Sequence, residues 1–144
     1  MKRDGYTGYL NLFGTEHEET LIAAYNYAES LTGLERFEEA KTLLRKTMPV
    51  ARRVLGDSHR LTLKMRMRYA VALYQDASAT LDNVREAVTT LEDAERTARR
   101  VFGGTHPLTS GIERYLQNAR AALAAREGDD VSAIREAVDA MKAT

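Results

Sequence analysis

Three copies of one short block punctuate the chain: Phe13-Gly14-Thr15-Glu16-His17-Glu18-Glu19-Thr20, Leu55-Gly56-Asp57-Ser58-His59-Arg60-Leu61-Thr62 and Phe102-Gly103-Gly104-Thr105-His106-Pro107-Leu108-Thr109. A repeated apolar-Gly-x-x-His-x-x-Thr pattern means that one supersecondary unit recurs, and a recurring unit that cannot bury its own apolar face must stack on its neighbours. The block histidines stand 42 and then 47 residues apart. Flanking residues keep the same offsets. Leu21, Tyr27, Ala28 and Leu31 recur 42 residues on as Leu63, Tyr69, Ala70 and Leu73, while Ala40, Leu44, Arg52, Arg53, Val54 and Gly56 recur 47 residues on as Ala87, Leu91, Arg99, Arg100, Val101 and Gly103. The change of offset places a five-residue insertion in the middle unit, with Asp76 to Asp82 as its natural seat.

Each unit carries two helical stretches. Leu21, Ala24, Ala28 and Leu31 mark one face of a first helix that breaks at Gly33, and Phe37, Ala40, Leu44, Met48 and Ala51 mark a second that stops at Gly56. Met65, Tyr69, Ala70 and Leu73, then Val84, Ala87, Leu91, Ala94, Ala98 and Val101, repeat the arrangement, with Asp82 or Asn83 as cap and Glu86 three residues after Asn83. In the third unit Ile112, Leu116, Ala119 and Leu123 lead to Gly128-Asp129-Asp130, read as a turn, and to a short final helix through Val131, Ile134, Val138 and Met141. Pro107 belongs in a first helical turn, which makes His106 the cap, and Pro49 predicts a kink in its helix. Tyr9, Leu12 and Phe13 align with Ala51, Val54 and Leu55, the tail of a second helix. The expected division is a tail or helix remnant at 1–13, repeats at 14–56 and 57–103, and a third repeat at 104–144.

The units resemble the tetratricopeptide repeats of kinesin light chains, whose pattern runs Gly-x-x-His-Pro-x-Thr, an Asn-Leu-Ala-like helix, Gly-x-Tyr/Phe-x-x-Ala, and a long helix ending in Leu-Gly. The counterparts are Asn26-Tyr27-Ala28, the stretch Leu34 to Ala40 with Phe37 and Ala40 at its aromatic and alanine positions, and Val54-Leu55-Gly56. Glu18 and Arg60 replace the usual proline, and Gln117 stands where a small residue belongs. The resemblance implies an all-α right-handed solenoid of three antiparallel helix pairs, non-enzymatic, whose first helices line a concave peptide-binding face. On that face it places Ile22, Tyr25, Asn26 and Glu29, then Lys64, Met67, Arg68, Val71, Tyr74 and Gln75, then Arg114, Tyr115 and Asn118.

Independently of the family, Arg60, Lys64 and Arg68 are four residues apart and form one positive stripe, with Met67, Val71 and Tyr74 expected beside it as adaptable apolar surface. Such a surface suits a partner peptide carrying acids around an aromatic or aliphatic anchor. Acidic Glu16 to Ala40, with seven acids against one base, and basic Lys41 to Arg68, with nine bases against one acid, also allow homo-association through the array ends, or service as a structural segment of a larger protein.

Other chemistry lacks its parts. With 21 basic and 21 acidic side chains there is no global field for nucleic acid, and Arg52-Arg53 and Arg99-Arg100 also complement the helix dipole near the ends of second helices. No cysteine, no Gly-x-Ser-x-Gly elbow and no Gly-Lys-Ser/Thr phosphate loop is present. Histidines on units stacked about 10 Å apart cannot converge on one metal ion, so each is expected to bond at its own turn. The expectation is therefore a cytoplasmic interaction module without cofactor, metal or membrane contact.

Overall fold

The computed structural model describes residues 2–143. Six helices follow one another: α1 (Arg3–Phe13), α2 (Glu18–Gly33), α3 (Phe37–Leu55), α4 (Arg60–Tyr74), α5 (Leu81–Phe102) and α6 (Pro107–Ala143), with no strand among the described residues. Each helix packs on the next, and α2 touches α4 as α4 touches α6. The first helices thus form a continuous layer flanked by α1, α3 and α5, an all-α tetratricopeptide-like solenoid. Alanines at the crossings, Ala24, Ala28, Ala40, Ala70, Ala87, Ala94 and Ala98, are fully buried and let the axes approach closely. Leucines 21, 31, 44, 63, 73 and 91 fill the space between them.

The repeated block is explained atom by atom. Gly14, Gly56 and Gly103 end α1, α3 and α5 at φ of 83°, 95° and 88° with ψ of 179°, 161° and 162°, a conformation that side chains forbid. The histidine Nδ1 then caps the following helix, accepting the backbone N–H two residues on: Glu19 to His17 at 3.1 Å, Leu61 to His59 at 3.0 Å and Leu108 to His106 at 3.1 Å. The apolar residue four positions earlier supports the ring, with centroids 4.5 Å apart for Phe13 and His17 and 4.8 Å for Phe102 and His106. Last comes the buried threonine. Thr20 Oγ1 donates to the Tyr9 carbonyl at 3.2 Å and Thr62 Oγ1 to that of Ala51 at 3.4 Å, pinning α2 and α4 to the helices before them, whereas the equally buried Thr109 hydroxyl of the third block makes no such bond.

The inserted residues form the loop between α4 and α5. Asp76 Oδ1 accepts from the Ser78 backbone and hydroxyl at 2.9 and 2.8 Å, which holds its carboxyl below the usual range. Arg126 reaches over from α6 to the Asp76 carbonyl at 3.3 Å. Helix α5 starts earlier than the expected Asp82 or Asn83 cap. Thr80 is the cap, because its hydroxyl takes the Asn83 N–H while the Asn83 side chain takes the Thr80 N–H. Glu86 instead accepts the Tyr69 hydroxyl at 2.8 Å. Helix α3 runs unbroken through Pro49.

The larger correction concerns the third unit. Gly128-Asp129-Asp130 is not a turn: α6 continues through it to Ala143, so among the described residues no short final helix folds back to complete a third antiparallel pair. The reason lies in α6 itself. Counting from the cap histidine, positions 4, 7, 11 and 14 are Leu21, Ala24, Ala28 and Leu31 in α2 and Leu63, Arg66, Ala70 and Leu73 in α4, all buried. In α6 they are Ser110, Glu113, Gln117 and Arg120, which offer a returning helix no apolar seat. Beyond Gly128 the side chains are exposed, including Val131 at 54%, Ile134 at 58% and Val138 at 41%.

Candidate functional site

Two clefts compete as sites. The roomier, about 590 Å³, lies between α3, α4 and α5 and is lined by Met48, Pro49, Arg52, Arg53, Asp57, Arg66, Tyr69 and Thr90. Its arginines are already matched. Arg52 bonds Asp57 at 2.6 Å, Arg53 bonds Glu16 and Arg66 bonds Asp93, while Arg99 in the next unit bonds Glu95 at 2.7 Å. The cations singled out for nucleic acid are thereby largely neutralised. Asp93 is held below the usual carboxylate range, chiefly by the hydrogen bond from Arg66.

The second cleft, about 290 Å³, lies between α2 and α4 and is lined by Glu18, Ile22, Tyr25, Asn26, His59, Arg60, Leu61 and Lys64. Ile22, 36% exposed, is its apolar floor. Here the cations are open: among the described residues neither Arg60 nor Lys64 has a carboxylate within 4.0 Å, and the Lys64 ammonium lies 5.8 Å from the centre of the Tyr25 ring. Burial pushes the Tyr25 hydroxyl above the ordinary tyrosine value.

The helical layer α2, α4 and α6 carries every residue expected on the binding face except Gln75, which caps the end of α4, but it exposes only some of them. Asn26, Glu29 and Lys64 reach solvent, as do Gln75, Arg114 and Asn118, while Tyr115 is half-buried under the Arg114 guanidinium, 5.7 Å from its centre. Met67, Val71 and Tyr74 are buried, as is most of Tyr25, so the expected adaptable apolar surface beside the stripe is core instead. The physical cause is that α4 is surrounded by four helices, α2, α3, α5 and α6, leaving only a narrow strip open. The stripe itself divides. Arg60 and Lys64 are open, whereas Arg68 is 14% exposed and its Nη2 meets Glu29 Oε2 across the helix boundary at 3.5 Å. Glu29 Oε2 also accepts the Tyr25 hydroxyl at 3.2 Å.

Glu18, Leu61 and His59 were not anticipated at the cleft. A sequence signal existed for them, since the block that starts each first helix also places its first turn beside the preceding one. The Glu29 to Arg68 pair had no such signal, because neither residue's spacing reveals how α2 and α4 register against each other.

No helix among the described residues is long and apolar enough to cross a membrane. Neither a curated protein nor a solved structure matches the chain. Residues 20–61, from the threonine of the first block to the start of α4, match the family model described as tetratricopeptide repeat; with the stacked helices around it, this supports a tetratricopeptide repeat protein, a class that generally mediates contacts between proteins and is typically not enzymatic.

Proposed function

We propose that the face formed by α2, α4 and α6 is the concave face of the array and receives a peptide segment of a partner protein, with acidic residues flanking an aromatic or aliphatic anchor. The observation that carries this is the open pair Arg60 and Lys64 beside exposed Ile22, whereas the arginines that line the roomier cleft are each matched by a carboxylate. An apolar anchor on Ile22 and the Tyr25 edge supplies burial, and the two cations take the flanking acids. The side-chain amides of Asn26 and Asn118 reach solvent and can bond the partner backbone, while Gln75, Tyr115 and Arg114 extend the same strip toward α6. The kinesin light chain-like spacing of the repeats supports the same reading, with the concave face as peptide groove and the cytoplasm as its setting.

A fluorescent pentapeptide with a central tryptophan flanked by Asp and Glu is the direct probe, with its Asn and Gln counterpart as control. Lys64→Glu together with Arg60→Glu is expected to weaken the acidic peptide at least tenfold by anisotropy while far-UV circular dichroism stays unchanged. Equal affinity of the two peptides for the wild-type chain would sink the reading.

A second reading, self-association through the array ends, is favoured by the exposed Val131, Ile134 and Val138 on the projecting part of α6 and by exposed Leu12 and Phe13 on α1. Sedimentation velocity across concentration decides it, a monomer at every concentration removing it.

A further inference from the structure

The arginine at the end of the positive stripe is poorly served. Arg68 is nearly enclosed, its Nε is buried with no acceptor, and its one carboxylate contact is a long single bond of 3.5 Å from Nη2 to Glu29 Oε2. A guanidinium presents a fork of parallel donors that a carboxylate satisfies with both oxygens, and a buried donor left unmet is costly. Glu29 does not supply that geometry: Oε2 alone takes both the Arg68 and the Tyr25 bonds. Nor is Glu29 fixed in place by burial, since its side chain is 48% exposed and can turn to water at little desolvation cost.

Lys64 stands one turn before Arg68 on the same helix, at the mouth of the cleft. Arg68 lies one turn beyond the residues that line the cleft, and a carboxylate that passes Lys64 to reach it meets it occupied by an inferior acceptor of its own charge. We propose that Glu29 is the specificity gate of this groove, an internal competitor that a partner's carboxylate must displace from Arg68. When the groove is empty, Glu29 keeps the enclosed guanidinium compensated. A partner carboxylate that takes Arg68 with both oxygens gains the better geometry and releases Glu29 to solvent. An amide or an apolar group cannot exchange with it on equal terms, because leaving Arg68 with a neutral neighbour forfeits the ion pair with a carboxylate. Selection for acid over amide thus arises from displacement in addition to attraction by the open cations.

This inference rests on the groove reading above, and the test separates the two. Anisotropy titrations with the same acidic pentapeptide and its amide counterpart are run on the full chain as wild type, Glu29→Gln, Glu18→Gln, Arg68→Met, Glu29→Gln with Arg68→Met, and Lys64→Glu. Glu29→Gln is expected to bind the acidic peptide about fivefold more tightly and the amide peptide within about twofold of wild type. The gain should vanish when Arg68→Met is added. Glu18→Gln removes an acid from the same cleft that does not touch Arg68, so it should give less than half the gain. A gain that survives Arg68→Met, or that Glu18→Gln reproduces in full, overturns the gate in favour of a general field effect. Lost binding in Lys64→Glu with no change in Glu29→Gln overturns the gate and leaves the groove reading standing. A wild-type chain that does not prefer the acidic peptide overturns both.

Discussion

Helices α4 and α6 begin alike and end differently. Both start from a histidine whose Nδ1 caps the second backbone N–H, both bury a threonine three residues after that histidine, and both pack on the helix before them. Yet α4 stops at Tyr74 and is covered by α5, while α6 runs on to Ala143 and is covered by nothing that follows it among the described residues. The shared face is therefore written by the block, and the second face by positions 4, 7, 11 and 14. Where these are Leu63, Arg66, Ala70 and Leu73 a partner helix returns; where they are Ser110, Glu113, Gln117 and Arg120 none does. Glu113 and Arg120 instead turn sideways to Arg99 at 3.5 Å and Glu92 at 3.1 Å on α5. A helix with a polar outer face offers the next helix of a stack nothing to bury. A turn signal such as Gly128-Asp129-Asp130 bends the chain only if the segment beyond it has an apolar place to land.

The strongest test of that contrast is a matched truncation. Leu63 is fully buried, so Leu63→Ala should cost about 3 kcal/mol in urea denaturation through lost burial and the cavity left behind. Ser110→Ala, at the same position of α6, should fall within about 0.5 kcal/mol of wild type. Equal costs would mean that α6 has a partner on its second face after all.

What α4 and α6 share should cost less, and should cost both about the same. Gly56→Ala and Gly103→Ala force a side chain into a backbone conformation reserved for glycine, a loss of about 2 kcal/mol at either junction by thermal or urea unfolding. His59→Ala and His106→Ala each remove a cap, for about 1 kcal/mol. A cost seen at one junction and absent at the other would show that the block does not act as a common start signal.

Position 7 supplies a smaller and pH-dependent contrast. Arg66 is buried and pairs with Asp93 on the helix that follows, whereas Glu113 of α6 pairs in the open with the helix before it. The Asp93 carboxyl lies below its ordinary value because Arg66 bonds it, so the folded protein binds that proton less readily than the unfolded chain. The stability this pair contributes is present above the unfolded value near 4 and drains away as pH falls through the lower folded value. Asp93→Asn should accordingly be destabilising at pH 7, modestly since Asp93 is half exposed, and the difference from wild type should shrink below about pH 4. A difference that persists undiminished in acid would assign the effect to packing.

Much of this was legible in the chain because repeats carry their own controls. The three blocks located the helix starts, the change from 42 to 47 residues located the loop at Asp76, and the tail of a second helix was visible in Tyr9, Leu12 and Phe13, now α1. The Gly128 turn misled because its local signal was sound and its failure was decided some ten to twenty residues earlier, at Ser110 to Arg120. For the site, spacing along α4 aligned Arg60, Lys64 and Arg68, but spacing cannot tell how wide a strip the neighbouring helices leave uncovered, and Arg68 is enclosed. Met67, Val71 and Tyr74 were lost to the core for that reason, and Glu29 met Arg68 through an interhelical register that no single helix encodes.

The smallest expected effect on global stability comes from the part of α6 past the array. From Gly128 to Ala143 the helix is exposed, and an isolated helix of that length is marginal in water. Asp130→Pro deletes one helical N–H and crowds the Arg126 carbonyl, so it should melt this segment alone. Far-UV circular dichroism should lose the ellipticity of about four turns, and native-state hydrogen exchange should be fast from 128 onward even in the wild type. The unfolding free energy of the array in urea should stay within about 0.5 kcal/mol of wild type, because the buried face of α6 ends near Ala119 and its half-buried fringe near Leu123 and Arg126. The outcome is diagnostic in either direction. If the unfolding free energy drops by more than about 1 kcal/mol, residues beyond Gly128 are contributing to a packed structure, and the polar face of α6 does not end the array. If only the helical signal is lost, the projecting stripe of Val131, Ile134 and Val138 is free of the fold that carries it, and its apolar character requires a reason outside the stability of this chain's own core.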